Sequence, residues 1–359
     1  LEKAEKKIEM GGQAVIEGVM MRSPQGYSIA VRKKDKSIKI KNIPYKALTK
    51  RIKILGFPFI RGVITLFEML VIGLKGLDYS VNEWEGQDEK DAEQKKSANL
   101  GSDSPAKEKR QISVMGMIGL MVFSLSLAMV MTVVVPNLLT HFLGFLPFFK
   151  KTTGAAGHLV EEQSPLIYNL ISGMFRAIVL LLYIWLVSFS KDIRRVFEYH
   201  GAEHKTVFAF EDGKPLTLEN VRAYTTFHPR CGTTFLGVVI IVSIIVFAFL
   251  AKLITIVYPP FTEMNFIFRK AIIILSHIIF MPLVAGTSYE VIKYGSRHKE
   301  NILTRLLVIP GLLSQRITTK PPDDEQIEVG IASLKAAMAI APDQTEPSMT
   351  ILAPGDALK

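Results

Sequence analysis

The sequence predicts a mainly α-helical membrane protein with about four transmembrane helices, an in-plane or re-entrant helix and a small cytoplasmic β-meander. Three observations predict it. Hydrophobic residues make up 49% of the 359-residue chain and its mean hydropathy is +0.28, too apolar for a soluble protein of this length. Four apolar blocks reach the roughly 20 residues that a bilayer-crossing helix needs, at Ile112 to Val135, Leu166 to Phe189, Thr233 to Tyr258 and Arg269 to Glu290. Basic residues are segregated: 22 of the 43 Lys and Arg fall in 1–111 and seven in 191–231, while 136–165 has only Lys150 and Lys151 and 259–267 has none. By the positive-inside rule both termini and the 191–231 loop are cytoplasmic, an arrangement that four spans satisfy.

Residues 1–50 read as the β-meander. Residues 13–21 are extended and β-rich, Ser23-Pro24-Gln25-Gly26 makes a turn, residues 27–31 alternate polar and apolar, and a second turn precedes Ile38-Lys39-Ile40-Lys41. Residues 1–10 are charged and lack the apolar core of a cleavable signal peptide. These strands are too few to bury a core alone and are expected to pack on another cytoplasmic element. Residues 51–82 hold the fifth apolar block, Phe57 to Leu77, in which Arg61, Glu68 and Lys75 recur every seven residues and mark one polar stripe on a helix. Residues 83–110 are charged and nearly free of aliphatic side chains, the composition of a disordered linker.

Transmembrane helices 1 and 2 are expected within 111–190, and helices 3 and 4 within 232–292. Between them the cytoplasmic loop 191–231 holds most of the chemistry. After the fourth span, residues 293–341 read as cytoplasmic amphipathic helices: an apolar segment, Leu303 to Gln315, is interrupted by Pro310-Gly311, and Asp323 to Ala341 is helical with acidic residues in its first turn. Residues 342–359 read as a disordered tail. A single cysteine excludes an intrachain disulfide. The net charge of +10 matches the positive-inside bias and an attraction to anionic headgroups better than nucleic-acid binding.

The segment Tyr199-His200-Gly201-Ala202-Glu203-His204-Lys205 contains H-x-x-E-H. On a helix His200 and His204 share one face, one turn apart, and Glu203 lies beside them. Two imidazoles so placed can share a divalent ion, zinc above all, and Glu203 can take a proton as general base. Further along the same loop, His228 and Cys231 are separated by two residues across Pro229 and are the next candidate ligands. Glu290, at the end of the fourth span, is a candidate third ligand or support, as is Glu17 in the first strand. Arg176 lies mid-span, where a charge needs a partner or an aqueous cavity, and Glu68 is its candidate partner. His277, also mid-span, suits an interhelical hydrogen bond.

With these residues placed, the chain resembles the YqhQ-like family of bacterial multipass membrane proteins, classified as domain of unknown function 1385. The resemblance rests on residues 11–22 (GGQAVIEGVMMR), on 199–205, and on His228-Pro229-Arg230-Cys231-Gly232-Thr233. Gly286-Thr287-Ser288-Tyr289-Glu290, Pro310-Gly311 and residues 318–324 (TTKPPDD) extend it. It covers nearly the whole chain apart from the linker and the tail. It implies a bacterial cytoplasmic membrane location, and the label of predicted metal-dependent enzyme often given to the family implies metal chemistry without a substrate.

Three functional classes remain. The residues favour a metal-dependent hydrolase at the cytoplasmic face, with a divalent metal, zinc, on His200 and His204. The alternative is a non-enzymatic membrane scaffold, or a ribosome- or translocon-associated biogenesis factor, which would use the basic face for protein partners or homo-oligomers. A transporter has only Arg176 and the proline-bearing fourth span in its favour, and the spans show no internal repeat.

Overall fold

The structure, a computed structural model, describes residues 10–98, 114–143, 165–297 and 301–358. In chain order these form strands β1 (Gly11–Val15), β2 (Gly18–Arg22), β3 (Gly26–Arg32) and β4 (Ile38–Pro44), then helices α1 (Leu48–Arg51) and α2 (Ile60–Ala98). Next come α3 (Val114–Met129) and α4 (Val135–Leu143), joined by a π-helical turn, then α5 (Pro165–Val187), α6 (Lys191–Glu211), α7 (Leu218–Arg222), α8 (Gly232–Val257) and α9 (Phe266–Arg297). Helices α10 (Ile302–Thr318) and α11 (Asp324–Met338) and strand β5 (Ser348–Leu352) follow. The chain divides into two compact units. A sheet unit takes Leu1–Ser102, Val187–Thr234 and Val308–Lys359, and a helical unit takes Asp103–Leu186 and Phe235–Leu307.

In the sheet unit all five strands form one antiparallel sheet in the order β1-β2-β3-β4-β5. Side chains alternate across a strand, and the sequence uses both sets. Val19, Met21, Ala30, Ile38 and Ile40 face one core, with Tyr199 and Val207 of α6 and Val329, Leu334 and Ala337 of α11. Met20, Tyr27, Ile29 and Val31 face another, with Ile72 of α2. The unit is therefore three layers, with the sheet between α2 on one side and α6 and α11 on the other. Full burial of each large side chain contributes about 1.5–3 kcal/mol, and Tyr199, Met21, Ile29 and Leu334 all reach it.

Three elements differ from the sequence expectation. Strand β1 and strand β2 are separate, with register Val15↔Gly18, so Glu17 sits in the turn between them, at φ 48°, and not in a strand. Residues 348–352, within the stretch read as a tail, form β5 against β4. Helix α2 continues to Ala98, through the start of the stretch read as a linker, whose remaining residues lie outside those described. Helix α11 starts where expected, with Asp323 and Gln326 forming a reciprocal capping box. It is buried on more than one side, because Ile327 and Ile331 pack on Ala202, Ala209 and Val221 while its other face meets the sheet. Gly330 allows that depth: a Cβ there would lie 2.7 Å from Thr206 Oγ1.

The helical unit carries stretches long and apolar enough to cross a membrane at Val122–Thr140, Leu166–Val187, Gly232–Val257 and Ile267–Gly295. They match the four apolar blocks. The last three start within two residues of the sequence boundaries. Pro282 and Pro310 lie inside α9 and α10, which continue through them.

Sheet and α11 are also cross-linked by polar groups. Arg32 of β3, 4% exposed, donates to Glu328 Oε2 at 2.7 Å and to the Glu325 carbonyl at 2.7 Å, and Glu328 Oε1 accepts from Gly355 N. Removing one partner of such a pair strands the other charge. Arg32→Met is expected to cost about 3–5 kcal/mol, and adding Glu328→Gln should recover part of it. Thermal melts of the detergent-solubilised chain check both, and strictly additive losses would deny the coupling.

Candidate metal centre

Helix α6 places the H-x-x-E-H residues by the periodicity that the sequence predicts. Its entry is fixed by Glu17 in the β1–β2 turn. Arg195 grips the Glu17 carboxylate with both Nε and Nη2, the latter at 2.7 Å, and Tyr199 Oη donates to the same carboxylate at 3.2 Å. Burial, then the adjacent carboxylate, raise the Tyr199 phenol above its ordinary pKa, and the hydrogen bond to Glu17 raises that of Arg195. Two residues after Tyr199, Gly201 lies against the Lys320 carbonyl, where a Cβ would collide with the oxygen. Lys320 N in turn donates to the Phe197 carbonyl at 2.9 Å.

The segment after α10 is thus laid along α6, and it carries the first constraint on the site. His200 Nδ1 is 2.9 Å from the Thr318 carbonyl, and His204 Nδ1 is 2.5 Å from the Thr226 carbonyl. A carbonyl only accepts, so both Nδ1 atoms carry a proton, and in the neutral rings both Nε2 atoms present lone pairs. His200 Nε2 is 3.1 Å from Cys231 Sγ. His204 Nε2 is buried with no hydrogen-bond partner, and the side chain is 2% exposed. The three ligand atoms of His200, His204 and Cys231 lie within 4.8 Å of one another. Bonds of 2.0–2.3 Å at tetrahedral angles separate donor atoms by roughly 3.3–3.7 Å, so the trio could hold a metal ion with small side-chain adjustments.

Cys231 is fixed from a different direction. It precedes α8, and Thr233 N and Thr233 Oγ1 lie 3.5 and 3.3 Å from the sulfur, which puts Sγ at the positive end of that helix dipole, a setting suited to an anionic ligand. The His228–Thr234 segment is clamped by Gln315 of α10. His228 N donates to Gln315 Oε1 at 2.7 Å, and Gln315 Nε2 donates to the His228 carbonyl at 2.8 Å and to Thr234 Oγ1 at 2.9 Å. Lys205 holds the segment before it, donating to the carbonyls of Arg222, at 2.7 Å, and Tyr224.

The other candidates take distinct places. Glu203 is buried, and its Oε2 lies 3.4 Å from His204 Nε2, next to the trio and not part of it. His228 stacks near His204, with ring centroids 5.5 Å apart, but its Nδ1 accepts from Arg230 N at 3.2 Å and its Nε2 lies 3.3 Å from Glu211 Oε1. Arg230 pairs with the same carboxylate, so His228 is engaged outside the trio. Glu17 acts on α6 as described. Glu290 belongs to α9 in the helical unit. Glu68 accepts from Tyr45 Oη and from Leu48 N, at 2.6 Å for the latter, and burial followed by that carboxylate pushes the Tyr45 phenol up to about 12. Arg176 has its own company within the helical unit, with Nη1 3.2 Å from Ser243 Oγ and the guanidinium over the Phe247 ring, on which His277 stacks at 3.9 Å.

Gln315, Glu211 and the carbonyls of Thr226 and Thr318 are site components that the sequence motifs do not flag. Only Gln315 left a trace, as a polar residue closing an apolar segment.

The family model described as "Protein of unknown function (DUF1385)" matches residues 57–340. The uncharacterized protein YqhQ of Bacillus subtilis (strain 168) is 31% identical over 349 residues, covering 95% of this chain and 97% of that protein. No solved structure matches the chain. The match over most of the chain, carried end to end by the relative, places this protein in the DUF1385 family.

Proposed function

We propose that the chain is a multipass membrane protein with a divalent metal site, of the zinc type, at its cytoplasmic face, and that the site serves a metal-dependent hydrolase. The observation that carries this is the commitment of both Nδ1 atoms to main-chain carbonyls, which in the neutral rings leaves both Nε2 atoms for an ion, close to one sulfur. Histidine ligands in metal sites are oriented in this way by their second nitrogen. Three protein donors leave a fourth position open, the pattern of catalytic rather than structural zinc. An ion held there supplies Lewis acidity and lowers the pKa of water. Glu203, beside His204 and outside the trio, is placed to take the proton, and its burial keeps that carboxylate away from bulk solvent.

Metal content of the full chain, purified in detergent without chelators, tests the reading. A stoichiometric ion is expected, lost in His200→Ala/His204→Ala and kept in Glu203→Gln. Cobalt-loaded protein should show a thiolate charge-transfer band that Cys231→Ser abolishes. A metal-free wild type overturns the enzyme reading in favour of the scaffold.

Gln315 touches no donor atom and positions Cys231 through the main chain. Gln315→Leu should weaken metal affinity about 10–100-fold in a competition titration, with the melting temperature of the apo form monitored in parallel. Unchanged affinity would reduce Gln315 to a packing residue.

The cytoplasmic placement rests on the Lys and Arg asymmetry. Reporter fusions at residues 100, 215 and 330 are expected inside and at 155 outside. An external signal at 215 would remove the site from the cytoplasmic face.

A further inference from the structure

Helix α2 has two opposed faces. Its inner face packs on the sheet through Ile72, Gly73, Gly76 and Ser80, with Glu68 turned inward onto Tyr45 and Leu48. On the opposite side Ile60, Phe67, Leu70, Leu74 and Leu77 are 45, 64, 52, 43 and 37% exposed. At 100° per residue these fall within a stripe about 100° wide, turned roughly 140° from the sheet contact. The stripe is about 26 Å long. Just before it, Ile52, Ile54, Phe57 and Phe59 are also exposed. The left-handed φ of 67° at Phe59, which an aromatic residue adopts at a cost, keeps the chain turned there.

Charge identifies what covers this surface. From Lys46 to Phe67 the sequence contains Lys46, Lys50, Arg51, Lys53 and Arg61 and no acidic residue. Lys46, Lys50, Arg51 and Lys53 are exposed between the apolar side chains. A soluble protein partner would normally be matched by mixed charge, whereas aromatic and aliphatic side chains interleaved with cations alone match the headgroup layer of an anionic leaflet. The chain also carries helices apolar enough to cross a membrane, and only three residues separate α5, ending at Val187, from α6 of the sheet unit. We infer that residues 50–77 form an interfacial plate, with the α2 stripe lying in the plane of the membrane at the headgroup–acyl boundary and Lys50, Arg51 and Lys53 binding anionic lipid phosphates. The inference is independent of the metal reading.

Photo-crosslinking of the full chain tests it. Benzoylphenylalanine is placed at position 67 or 74, or at exposed position 214 as a control, in nanodiscs of equal phosphatidylglycerol and phosphatidylcholine. Lipid adducts are expected at 67 and 74, about tenfold above 214, with phosphatidylglycerol enriched about threefold. In Lys50→Glu/Arg51→Glu/Lys53→Glu, with an unchanged melting temperature, that enrichment should vanish while the adducts persist. Adducts in the ratio of the lipid mixture in the wild type would overturn the anionic assignment. Chain-to-chain products in place of lipid adducts, or equal yield at 214, would overturn the plate itself and make the stripe a protein interface.

Discussion

The carbonyl oxygens of Thr226 and Thr318 decide what the site can be, because each takes the proton-bearing nitrogen of one histidine. An imidazole free to rotate would offer either nitrogen, and burial alone would not say which. With both rings pinned, His200 Nε2 lies 3.1 Å from Cys231 Sγ, and one ligand atom of each of the three residues falls within 4.8 Å of the others. The rest of the sheet unit keeps those two carbonyls in place. Lys205 braces the main chain just before Thr226, Gln315 braces the segment after it, and the contact of Gly201 with Lys320 brings the chain after α10 against α6. The site is thus built less from its motif than from main chain delivered by two distant segments.

The sheet supplies the fixed wall behind this arrangement. Glu17 in the β1–β2 turn is buried and charge-paired, and the left-handed φ of 48° that puts it there is a conformation a glutamate adopts only when its surroundings demand it. Arg195 and Tyr199, five residues and one residue before His200, are what demand it. Arg195 is half exposed while Glu17 is not. Water screens the cation and leaves the buried carboxylate reliant on the bond, so the contact orients α6 more than it adds net stability.

The parts of this fold legible in the sequence are those whose signal is local. Span length and composition gave the four apolar helices, helical periodicity put His200, Glu203 and His204 together, and Asp323 with Gln326 marked the start of α11. Cys231 was legible as a candidate ligand because only two residues, Pro229 among them, separate it from His228, yet His228 turns to Glu211 and Arg230 instead. What stayed hidden depends on pairing across long separations. Gln315 meets His228 across 87 residues and Thr318 meets His200 across 118, and a main-chain carbonyl carries no residue identity to read. Strand β5 was hidden for the same reason, since its five residues pair with β4 from the opposite end of the chain. The seven-residue spacing of Arg61, Glu68 and Lys75 marked one stripe but not its surroundings: Glu68 turns inward to Tyr45 and Leu48, while Phe67, Leu70 and Leu74 are exposed.

That inward turn of Glu68 has a consequence for how the unit works. The sheet separates α2 on one face from α6 and α11 on the other. Side chains on the outer stripe of α2 therefore cannot alter ligand geometry by contact. They can act only through the sheet, where Lys39 reaches Glu83 at 2.7 Å and Tyr45 reaches Glu68, or not at all. A five-stranded sheet packed on both faces is stiff, so a change in the stripe and a change in the trio should contribute additively. Strand β1 and the turn after it reach both layers, since Gly12 lies against Glu203 of α6 and Gln13 against Gly73 of α2. Glu17 is the turn residue that reaches α6, and Ile16 donates to Ser80 of α2 at 3.1 Å on the other side. Two adjacent residues of the turn thus touch both helical layers, as Gly12 and Gln13 do in β1, so β1 with its turn is a short path by which the two faces of the sheet could sense each other.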